Sequence, residues 1–407
     1  MADEIKNISE LINPELKNGQ IFLSAKSDKL LASGENYGST MLSVEVLIQN
    51  ENGETEVLYC VAKTPPPPGL VWYIFNTKIT FKIEMIFYNT IVPILNEFGR
   101  SKGVEDLINF VPKYINGRIS NDPTSKVVDE GAVILLENLK TKGYTNGNRF
   151  IGFDKETTEL LLKDLATIHA SAIAFRRSHP QKFQEKILSH LIRKFHISLQ
   201  EEHIIEITDF ATKFIKSNPN CQPHLHKIEE AIRKLHSKSY QTKINELYTT
   251  IAHHDYWVNN TLIKYRNGNP IQNKMVDFQV IDYDSLANDV TFFLYSSVEL
   301  SVLQDHVDEL YRFYYEKFIE TLRKLQSNIS EYNFAAFMEE CGAIVKEVQF
   351  GHLIFLLIPI LTLKGKARDL NELQYDSIIP KGEDIVHENY HKRLQFILLD
   401  LVTRKWI

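Results

Sequence analysis

The chain has 407 residues, of which 43% are hydrophobic and 24% are charged, and its formal net charge is −6. These values are typical of a globular protein with enough residues for two domains. The negative net charge argues against a nucleic-acid partner, because polyanions are bound by clustered basic residues. The three cysteines are widely spaced, so they predict neither a disulfide framework nor a paired-cysteine zinc site.

The first predicted elements form a β-hairpin. Residues 40–48 and 56–63 are rich in β-forming side chains, and Asn52-Gly53 lies between them. An Asn-Gly pair between two such runs is typical of a hairpin turn. The prolines at 65–68 end the second strand, because proline cannot donate a hydrogen bond to a sheet. A PxxP ligand motif is the alternative interpretation of these prolines, which is disfavoured because predicted elements flank them.

A helix and a further strand follow the hairpin. Residues 78–98 are predicted to be helical, bounded by an Asn before them and a Gly after them. The short apolar run 132–136 is predicted to be a buried strand that leads into a connector at 137–139.

From residue 157 onward the pattern is helical almost to the end, apart from a polar island of strands and loops at 250–285. A β-rich part followed by a helical part indicates an α+β fold rather than alternating βαβ units. We therefore predict two lobes, a small β-rich lobe at residues 1–137 and a large helical lobe at 138–407. The predicted helices of the large lobe are 157–176, 181–197, 201–217, 223–248, 287–326, 331–363 and 383–403.

The protein is predicted to be cytosolic, without a membrane span and without an obligate protein partner. Its polar, acidic N-terminus does not resemble a secretory signal. The most apolar run, 353–363, is too short to span a bilayer and contains Pro359, so it is predicted to be a buried helix.

The polar island carries two short motifs that together predict a phosphotransfer site. The first is His-His-Asp-Tyr-Trp-Val-Asn-Asn at 253–260, and the second is Val-Asp-Phe-Gln at 276–279. Asp255 is the predicted catalytic residue, which orients an attacking hydroxyl and accepts its proton. Asn260 and Asp277 are the predicted metal ligands, which hold magnesium against the nucleotide phosphates. The predicted cofactors are therefore ATP and Mg²⁺.

Residues of the small lobe complete this site. Side chains alternate along a strand, so Val61 and Lys63 share a face, with Val61 expected against the base and Lys63 on the phosphates. Glu84 is flanked by apolar residues, and a buried glutamate needs a partner, which Lys63 provides. The alternatives are a solvated lysine at a strand end and a glutamate on a helix surface.

The segment Gly-Glu-Asn-Tyr-Gly-Ser at 34–39 precedes the hairpin. Small residues there let backbone amides approach phosphates, although such segments are usually plain turns. The chain lacks the GxxxxGK[ST] pattern of a Walker phosphate loop, and no GxGxxG follows a predicted strand, so a dinucleotide fold is unsupported.

Two further features of the island leave alternatives open. His253 and His254 could be zinc ligands, but no second His or Cys cluster stands near them, so His253 is expected to hold the catalytic loop. Asp289 could cap the helix that follows it or accept from backbone amides of the catalytic loop. Only twelve residues separate Asp277 from Asp289, which leaves no room for the peptide platform of protein kinases. The acceptor partner is therefore expected to be a small molecule.

Short segments along most of the chain form a recognisable series: 34–37, 61–63, Glu84 with 87–88 and Pro93, 136–139, 165–166 with 169–171, 253–260 and 277–279. In sequence and in order these segments resemble the ecdysteroid kinase-like family. That family has a CHK kinase-like domain and belongs to the aminoglycoside phosphotransferase and choline kinase branch of the protein-kinase-like fold. The resemblance covers about residues 30 to 400.

This resemblance implies a two-lobed protein-kinase-like fold with ATP in the cleft between the lobes. It also implies that Asn36, Glu137 and Leu139 contribute to nucleotide binding, together with Val61. By resemblance the acceptor is a lipophilic alcohol of the ecdysteroid-like steroid class. The alternatives are a choline- or aminoglycoside-type kinase and a catalytically inactive ligand-binding pseudokinase.

Residue 254 departs from the family pattern, which usually has Gly between the His and the Asp of the catalytic loop. An added contact of His254 to phosphate or substrate is one interpretation of this difference. All the charged catalytic positions are present, which argues against a pseudokinase.

Overall fold

A computed structural model describes residues 5–30, 38–191, 201–235, 245–363 and 385–407. Its strands are β1 (Ile21–Lys29), β2 (Thr40–Gln49), β3 (Thr55–Thr64), β4 (Tyr114–Arg118), β5 (Val133–Glu137), β6 (Tyr144–Asn146), β7 (Thr249–Ala252), β8 (Thr261–Arg266), β9 (Asn269–Met275) and β10 (Asp282–Ser285). Its α-helices are α1 (Ile8–Ile12), α2 (Leu70–Ile74), α3 (Thr77–Ile86), α4 (Val92–Ser101), α5 (Lys155–Ser178), α6 (Pro180–Lys186), α7 (Glu201–Ser217), α8 (Leu225–Leu235), α9 (Ala287–Ser297), α10 (Leu300–Lys324), α11 (Phe334–Ile344), α12 (Phe350–Leu361) and α13 (Asn389–Thr403). These elements confirm the α+β class.

The first five strands form one antiparallel sheet in the order β1-β2-β3-β5-β4. The predicted hairpin is confirmed as β2 and β3, whose pairing runs from Gln49 with Thr55 to Thr40 with Thr64. The predicted buried strand is confirmed as β5, which pairs with β3. The sequence did not predict β1, because this edge strand is mostly exposed and lacks an apolar alternation.

The two faces of β3 have different surroundings. Cys60 and Ala62 are fully buried in an apolar cluster that β2 and β5 share with Leu11 and Ile12 of α1. Because side chains alternate along a strand, Val61 and Lys63 lie on the opposite face, toward the rest of the molecule. The sheet therefore presents Lys63 to the site and buries its other face under the N-terminal helix.

The predicted helix 78–98 is confirmed as α3 and α4, joined by the π-helical turn Phe87–Ile91. Its apolar side chains, including Phe81 and Leu95, belong to the large core that also contains the C-terminal helices. This helix therefore packs with the large lobe as well as lying beside the sheet.

In the large lobe, α5 packs along α10, and the predicted polar island is confirmed as the four strands β7 to β10 with the loops between them. β7 pairs with β10, and β8 pairs with β9 and with β6. The helices predicted at 157–176 and 201–217 are confirmed as α5 and α7.

Other helix boundaries were wrong. The helix predicted at 287–326 is two helices, because the chain is extended at Val298 and Glu299, where backbone hydrogen bonds pair it with Phe153. The helices predicted at 181–197, 223–248 and 383–403 are shorter, as α6, α8 and α13. Residues 192–197, 236–244 and 383–384 of these predictions lie outside the described residues.

The predicted helix 331–363 is a continuous helical segment, α11 and α12 joined by the π-helical turn Val345–Gln349. Within the described residues, Phe334–Leu361 is the one helical segment long and apolar enough to cross a membrane. Most of it is buried in the protein, as expected of a core helix. Most of the apolar run at 353–363 thus lies in this buried helix, as the sequence predicted.

Candidate active site

Lys63 lies between two carboxylates at the centre of the site. Its Nζ is 2.5 Å from Oε2 of Glu84 and 2.7 Å from Oδ1 of Asp277. Lys63 is 3% exposed, Glu84 is 1% exposed and Asp277 is 18% exposed. The structure therefore brings together three predicted residues that come from β3, α3 and the loop after β9.

The charges of this cluster determine its protonation. Burial alone would lower the pKa of Lys63, but the carboxylates of Asp277 and Glu84 together raise it above its ordinary value. The ammonium group therefore stays charged. Burial raises the pKa of Glu84, and the charge of Lys63 offsets only part of that rise.

Asp255 and Asn260 form a second pair, within the loop between β7 and β8. The side-chain nitrogen of Asn260 donates to the carbonyl and to Oδ2 of Asp255, both at 2.8 Å. Burial, then the neighbouring charge of Asp277, raise the pKa of Asp255 well above its ordinary value. A carboxylate with a raised pKa is a stronger proton acceptor once ionised, which suits the role of a base.

His253 links this loop to the loop that carries Asp277. Burial lowers the pKa of His253, so its ring is neutral. Its Nε2 donates to the carbonyl of Val276 at 3.1 Å, and its Nδ1 accepts from the backbone amide of Asp255 at 3.3 Å. The predicted role of His253 in holding the catalytic loop is consistent with these two bonds.

Asp289 holds the other side of the catalytic loop. Its carboxylate accepts from the backbone amides of His253 and His254 at 2.6 and 2.7 Å. Nε2 of His169 donates to it at 3.0 Å, and Nδ1 of His169 accepts from the hydroxyl of Tyr314. Asp289 does not cap α9. The prediction that Asp289 accepts from backbone amides of the catalytic loop is therefore confirmed, and the helix-cap alternative is wrong.

The environment of Asp289 keeps it ionised. Burial alone would raise the pKa of Asp289, but the hydrogen bond from His169 and the electrostatic attraction of the neighbouring histidine rings lower it to about 2. No role for His169 could be predicted from the sequence, because a single histidine in an apolar helix is usually a core residue and the partners of His169 are distant in the chain.

Aromatic rings fix the segment that carries Asp277. Phe278 stacks on Phe87, with ring centroids 3.7 Å apart and planes 15° apart, and it meets Tyr88 edge-on. Asp277 has a φ of 67°, in the left-handed region that is uncommon for non-glycine residues. The stacked Phe278 holds this backbone in place and so directs the Asp277 carboxylate to Lys63.

Of the other predicted nucleotide-binding residues, Val61 lies on β3, and Glu137 and Leu139 lie at the end of β5 and just after it. Val61 is half-buried beside Lys63, and Leu136 of β5 is paired with it. Leu139 is buried against Leu262. Asn36 lies outside the described residues.

Glu137 lies at the end of β5, which coincides with the predicted lobe boundary. Its carboxylate accepts from the backbone amide of Lys113 at 2.8 Å and pairs with Lys142. The side chain thus holds the connector, and a nucleotide contact here would involve the backbone of Glu137 rather than its carboxylate. A nucleotide-binding role for Glu137 and Leu139 stays a prediction.

Gly38, near the end of the glycine segment, lies against the Asp-Phe-Gln motif. At Gly38, a Cβ atom would lie 2.9 Å from Nε2 of Gln279, closer than side chains normally pack. A side chain at position 38 would therefore require the end of the Gln279 side chain to shift.

The residues present fit a magnesium ion. Magnesium prefers hard oxygen ligands, usually one or two carboxylates together with phosphate oxygens. Asp277 offers a carboxylate, and Asn260 uses its side-chain nitrogen for Asp255, which leaves its side-chain oxygen as the atom suited to a cation. Within the described residues no group of three or more His, Cys, Asp or Glu side chains could hold a metal, so the zinc alternative gains no support.

His254 also has an uncommon backbone conformation, with a φ of 61°. Glycine adopts this region without strain, which explains why a glycine suits the position. Nε2 of His254 lies 3.7 Å from Oδ2 of Asp284, too far for a hydrogen bond. The interpretation that His254 contacts phosphate or substrate stays a prediction.

The model of the ecdysteroid kinase-like family matches residues 33–327, more than half of the chain. The chain belongs to the ecdysteroid kinase-like family. No curated protein matches the chain. Family membership supports a small-molecule kinase.

Two solved structures are similar to this chain, with low sequence identity and low TM-scores. A GDP complex of a mutant aminoglycoside 2'-phosphotransferase-IIIa is 10% identical, with a TM-score of 0.42, and the match covers 99% of each chain. The GDP complex of the wild-type aminoglycoside 2'-phosphotransferase-IIIa is 12% identical, with a TM-score of 0.41, and the match covers 87% of this chain and 92% of that one. GDP is a ligand of those proteins.

Proposed function

We propose that this protein is a small-molecule kinase that transfers the γ-phosphoryl group of ATP to a hydroxyl group of a lipophilic, steroid-like alcohol. The observation that carries the proposal is the convergence of Lys63, Glu84 and Asp277 with the pair Asp255 and Asn260. These residues come from distant parts of the chain, and they are the charged and polar groups that phosphoryl transfer needs.

Each residue has a distinct role in the proposed reaction. Lys63, held by Glu84, neutralises the nucleotide phosphates. Asp255 accepts a hydrogen bond from the acceptor hydroxyl, orients it and takes its proton as the oxygen attacks phosphorus. Asp277 and Asn260 would hold magnesium, which supplies charge neutralisation on the phosphates when bound.

The short segment between Asp277 and Asp289 supports a small acceptor. These residues contain only the four-residue strand β10, Asp282–Ser285, before α9 begins at Ala287. A bound peptide would need a longer platform at this point. The steroid-like class of the acceptor rests on membership of the ecdysteroid kinase-like family.

The test is an acceptor panel with radiolabelled ATP and magnesium, containing ecdysteroids, simpler sterols, choline, aminoglycosides and protein substrates. We expect label in the steroid alcohols and loss of that label in Asp255→Ala. Labelling of choline or an aminoglycoside instead would contradict the acceptor class but keep the kinase. Labelling of protein alone would contradict the inference from the short Asp277–Asp289 segment. No label in any acceptor would favour a ligand-binding pseudokinase.

A further inference from the structure

Behind the catalytic loop lies a buried polar cluster that the proposed reaction does not use. It consists of Asp164 on α5, Asn273 on β9 and Tyr256, the residue after the predicted catalytic Asp255. Tyr256 is fully buried, Asn273 is 1% exposed and Asp164 is 8% exposed. Buried polar groups normally have hydrogen-bond partners, so each atom of this cluster should be accounted for.

The hydrogen bonds of the cluster lack one donor. Nδ2 of Asn273 donates to Oδ2 of Asp164 at 3.3 Å and to the hydroxyl of Tyr256 at 3.4 Å. The hydroxyl of Tyr256 donates to the carbonyl of Leu161, also on α5. Oδ1 of Asn273 is buried and accepts from no described group. An ionised Asp164 can only accept, so it cannot supply the missing hydrogen.

The charges around Asp164 do not compensate an ionised form. Among the described residues it forms no ion pair, and the cations that face it are Lys163 and Lys274. Nζ of Lys274 is directed elsewhere, to the carbonyls of Asn109 and Val111, each at 2.7 Å. Tyr256 is the remaining titratable group beside it. Burial raises the pKa of Asp164 to about 7, and the hydrogen bond from Asn273 and the two lysines offset only part of that rise.

We infer that Asp164 is a positioning residue that acts in its protonated form: its carboxyl group donates to Oδ1 of Asn273, and the pair anchors Tyr256 and thereby the loop that carries Asp255. The N-terminal side of that loop is already fixed by Asp289, through the amides of His253 and His254. The cluster of Asp164, Asn273 and Tyr256 fixes its C-terminal side. The link to catalysis rests on the proposed function, whereas the protonation and anchoring do not.

The linkage between protonation and stability has a definite sign. The folded-state pKa of Asp164 lies above the value of an unfolded aspartate, near 4. The folded state therefore binds the proton more tightly, and its stability falls as pH rises from about 4 to about 7. Asp164→Asn supplies a permanent donor of the same shape and removes this dependence.

The first measurement is chemical unfolding of the full chain between pH 5 and 8, for the wild type, Asp164→Asn and the control Glu159→Gln on the same helix. We expect the unfolding constant of the wild type, divided by that of Asp164→Asn, to rise about tenfold per pH unit up to about pH 7. Glu159→Gln should follow the wild type. A ratio that does not change with pH would show that Asp164 is not protonated in the folded state and would overturn the inference.

The second measurement is amide hydrogen exchange of peptides that contain the catalytic loop, at pH 6 and pH 8 after correction for the intrinsic rate. We expect protection in the wild type to decrease at pH 8, protection in Asp164→Asn to stay constant, and Asp164→Ala to lose protection at both pH values. Equal protection in the wild type and both variants would overturn the anchoring role. Where Asp164→Ala does not fold, the comparison of the wild type with Asp164→Asn decides.

The kinetic measurement separates this inference from the proposed function. With an active acceptor, the kcat of the wild type should fall above pH 7 relative to Asp164→Asn, with the KM for ATP unchanged. Equal pH profiles of kcat would contradict the link to Asp255. Absence of activity with every acceptor would count against the proposed function, while hydrogen exchange would still decide the anchoring role.

Discussion

Asp277 combines a left-handed backbone, a direct contact to the Lys63 ammonium and partial exposure to solvent. A left-handed backbone is strained for a non-glycine residue. Such strained residues persist only where the surrounding contacts hold them in place, and they are common at functional sites. Here the stacked rings of Phe278 and Phe87 supply that constraint. The carboxylate is therefore held in place before any ligand arrives.

Replacement of this carboxylate should remove activity without unfolding the protein. In Asp277→Asn the shape is kept, but the main anionic ligand of the predicted magnesium site is lost. We expect turnover with magnesium and ATP to fall below detection, while unfolding in denaturant remains a single cooperative transition. Asp305→Asn, an exposed carboxylate on α10, is the control and should retain wild-type turnover. Near wild-type activity of Asp277→Asn would refute the metal assignment.

The role of Asp255 can be separated from nucleotide binding. In the proposed reaction Asp255 orients the acceptor hydroxyl, which ATP binding does not require, so Asp255→Ala should lower kcat by about 10²- to 10⁴-fold. Its affinity for ATP should change little, as measured by calorimetric titration. Loss of ATP binding with a retained kcat would mean that the roles of Asp255 and Asp277 are exchanged.

At the scale of elements, the catalytic loop between β7 and β8 is short and irregular, and its geometry depends on side chains from helices. Asp289 from α9 and His169 from α5 meet behind it, with no exposure to solvent. A buried carboxylate that accepts three hydrogen bonds from the chain orders both helices relative to the loop.

Asp289 should make stability sensitive to acid. Its folded-state pKa of about 2 lies below the unfolded value, so its contribution is complete above about pH 4 and is lost as pH falls toward 2. The shift corresponds to about 2–3 kcal/mol at neutral pH. We expect Asp289→Asn to be less stable than the wild type by about this amount at pH 7 and by less at pH 3, as measured by urea unfolding. A difference that stays the same at both pH values would contradict the assignment.

The sequence predicted those parts of the site that depend on local patterns. Asp255, Asn260 and Asp277 lie in short motifs, and Lys63 follows from strand alternation. The buried environment of Glu84 could be predicted from its apolar neighbours. These inferences needed no knowledge of long-range packing.

Other parts depended on contacts between distant residues. The choice of Asp289 between a helix cap and the loop amides is decided by His169, more than a hundred residues earlier in the chain. Asp164 has a neighbour 109 positions away in Asn273, so its sequence context showed only a polar residue in a helix. The edge strand β1 could not be predicted because most of its side chains are exposed, so it lacks an apolar alternation. The break between α9 and α10 could not be predicted, because it depends on the backbone pairing of Val298 with the distant residue Phe153.

At the scale of the whole molecule, the described residues contain two main apolar clusters of unequal size. The small one lies between the sheet and α1, whereas the large one includes α3, α4 and the C-terminal helices. The predicted division into residues 1–137 and 138–407 therefore cuts through the large core, because α3 and α4 belong to the first segment and pack with the second.

Because of this shared core, the full chain should unfold in one calorimetric transition, and residues 138–407 expressed alone should not give a cooperative transition. The isolated segment would expose the apolar surface that normally packs against side chains such as Phe87 and Leu95. The control is the full chain with a protease site introduced in the exposed turn at Glu51–Gly53, which should keep its transition after cleavage. Two separate transitions of the intact chain would contradict the shared core.

The contact between Lys63 and Asp277 places an ammonium ion on the carboxylate that is predicted to bind magnesium. Free metal must therefore compete with an internal counter-ion, whereas a nucleotide offers its phosphates to Lys63 and releases the carboxylate. Metal and nucleotide should consequently bind with positive thermodynamic coupling, each raising the affinity of the other by the same factor. In calorimetric titrations we expect a non-hydrolysable ATP analogue to strengthen magnesium binding. Lys63→Met should bind free magnesium more tightly and show weaker coupling, and an unchanged affinity for free magnesium in that variant would mean that the lysine does not compete for the site.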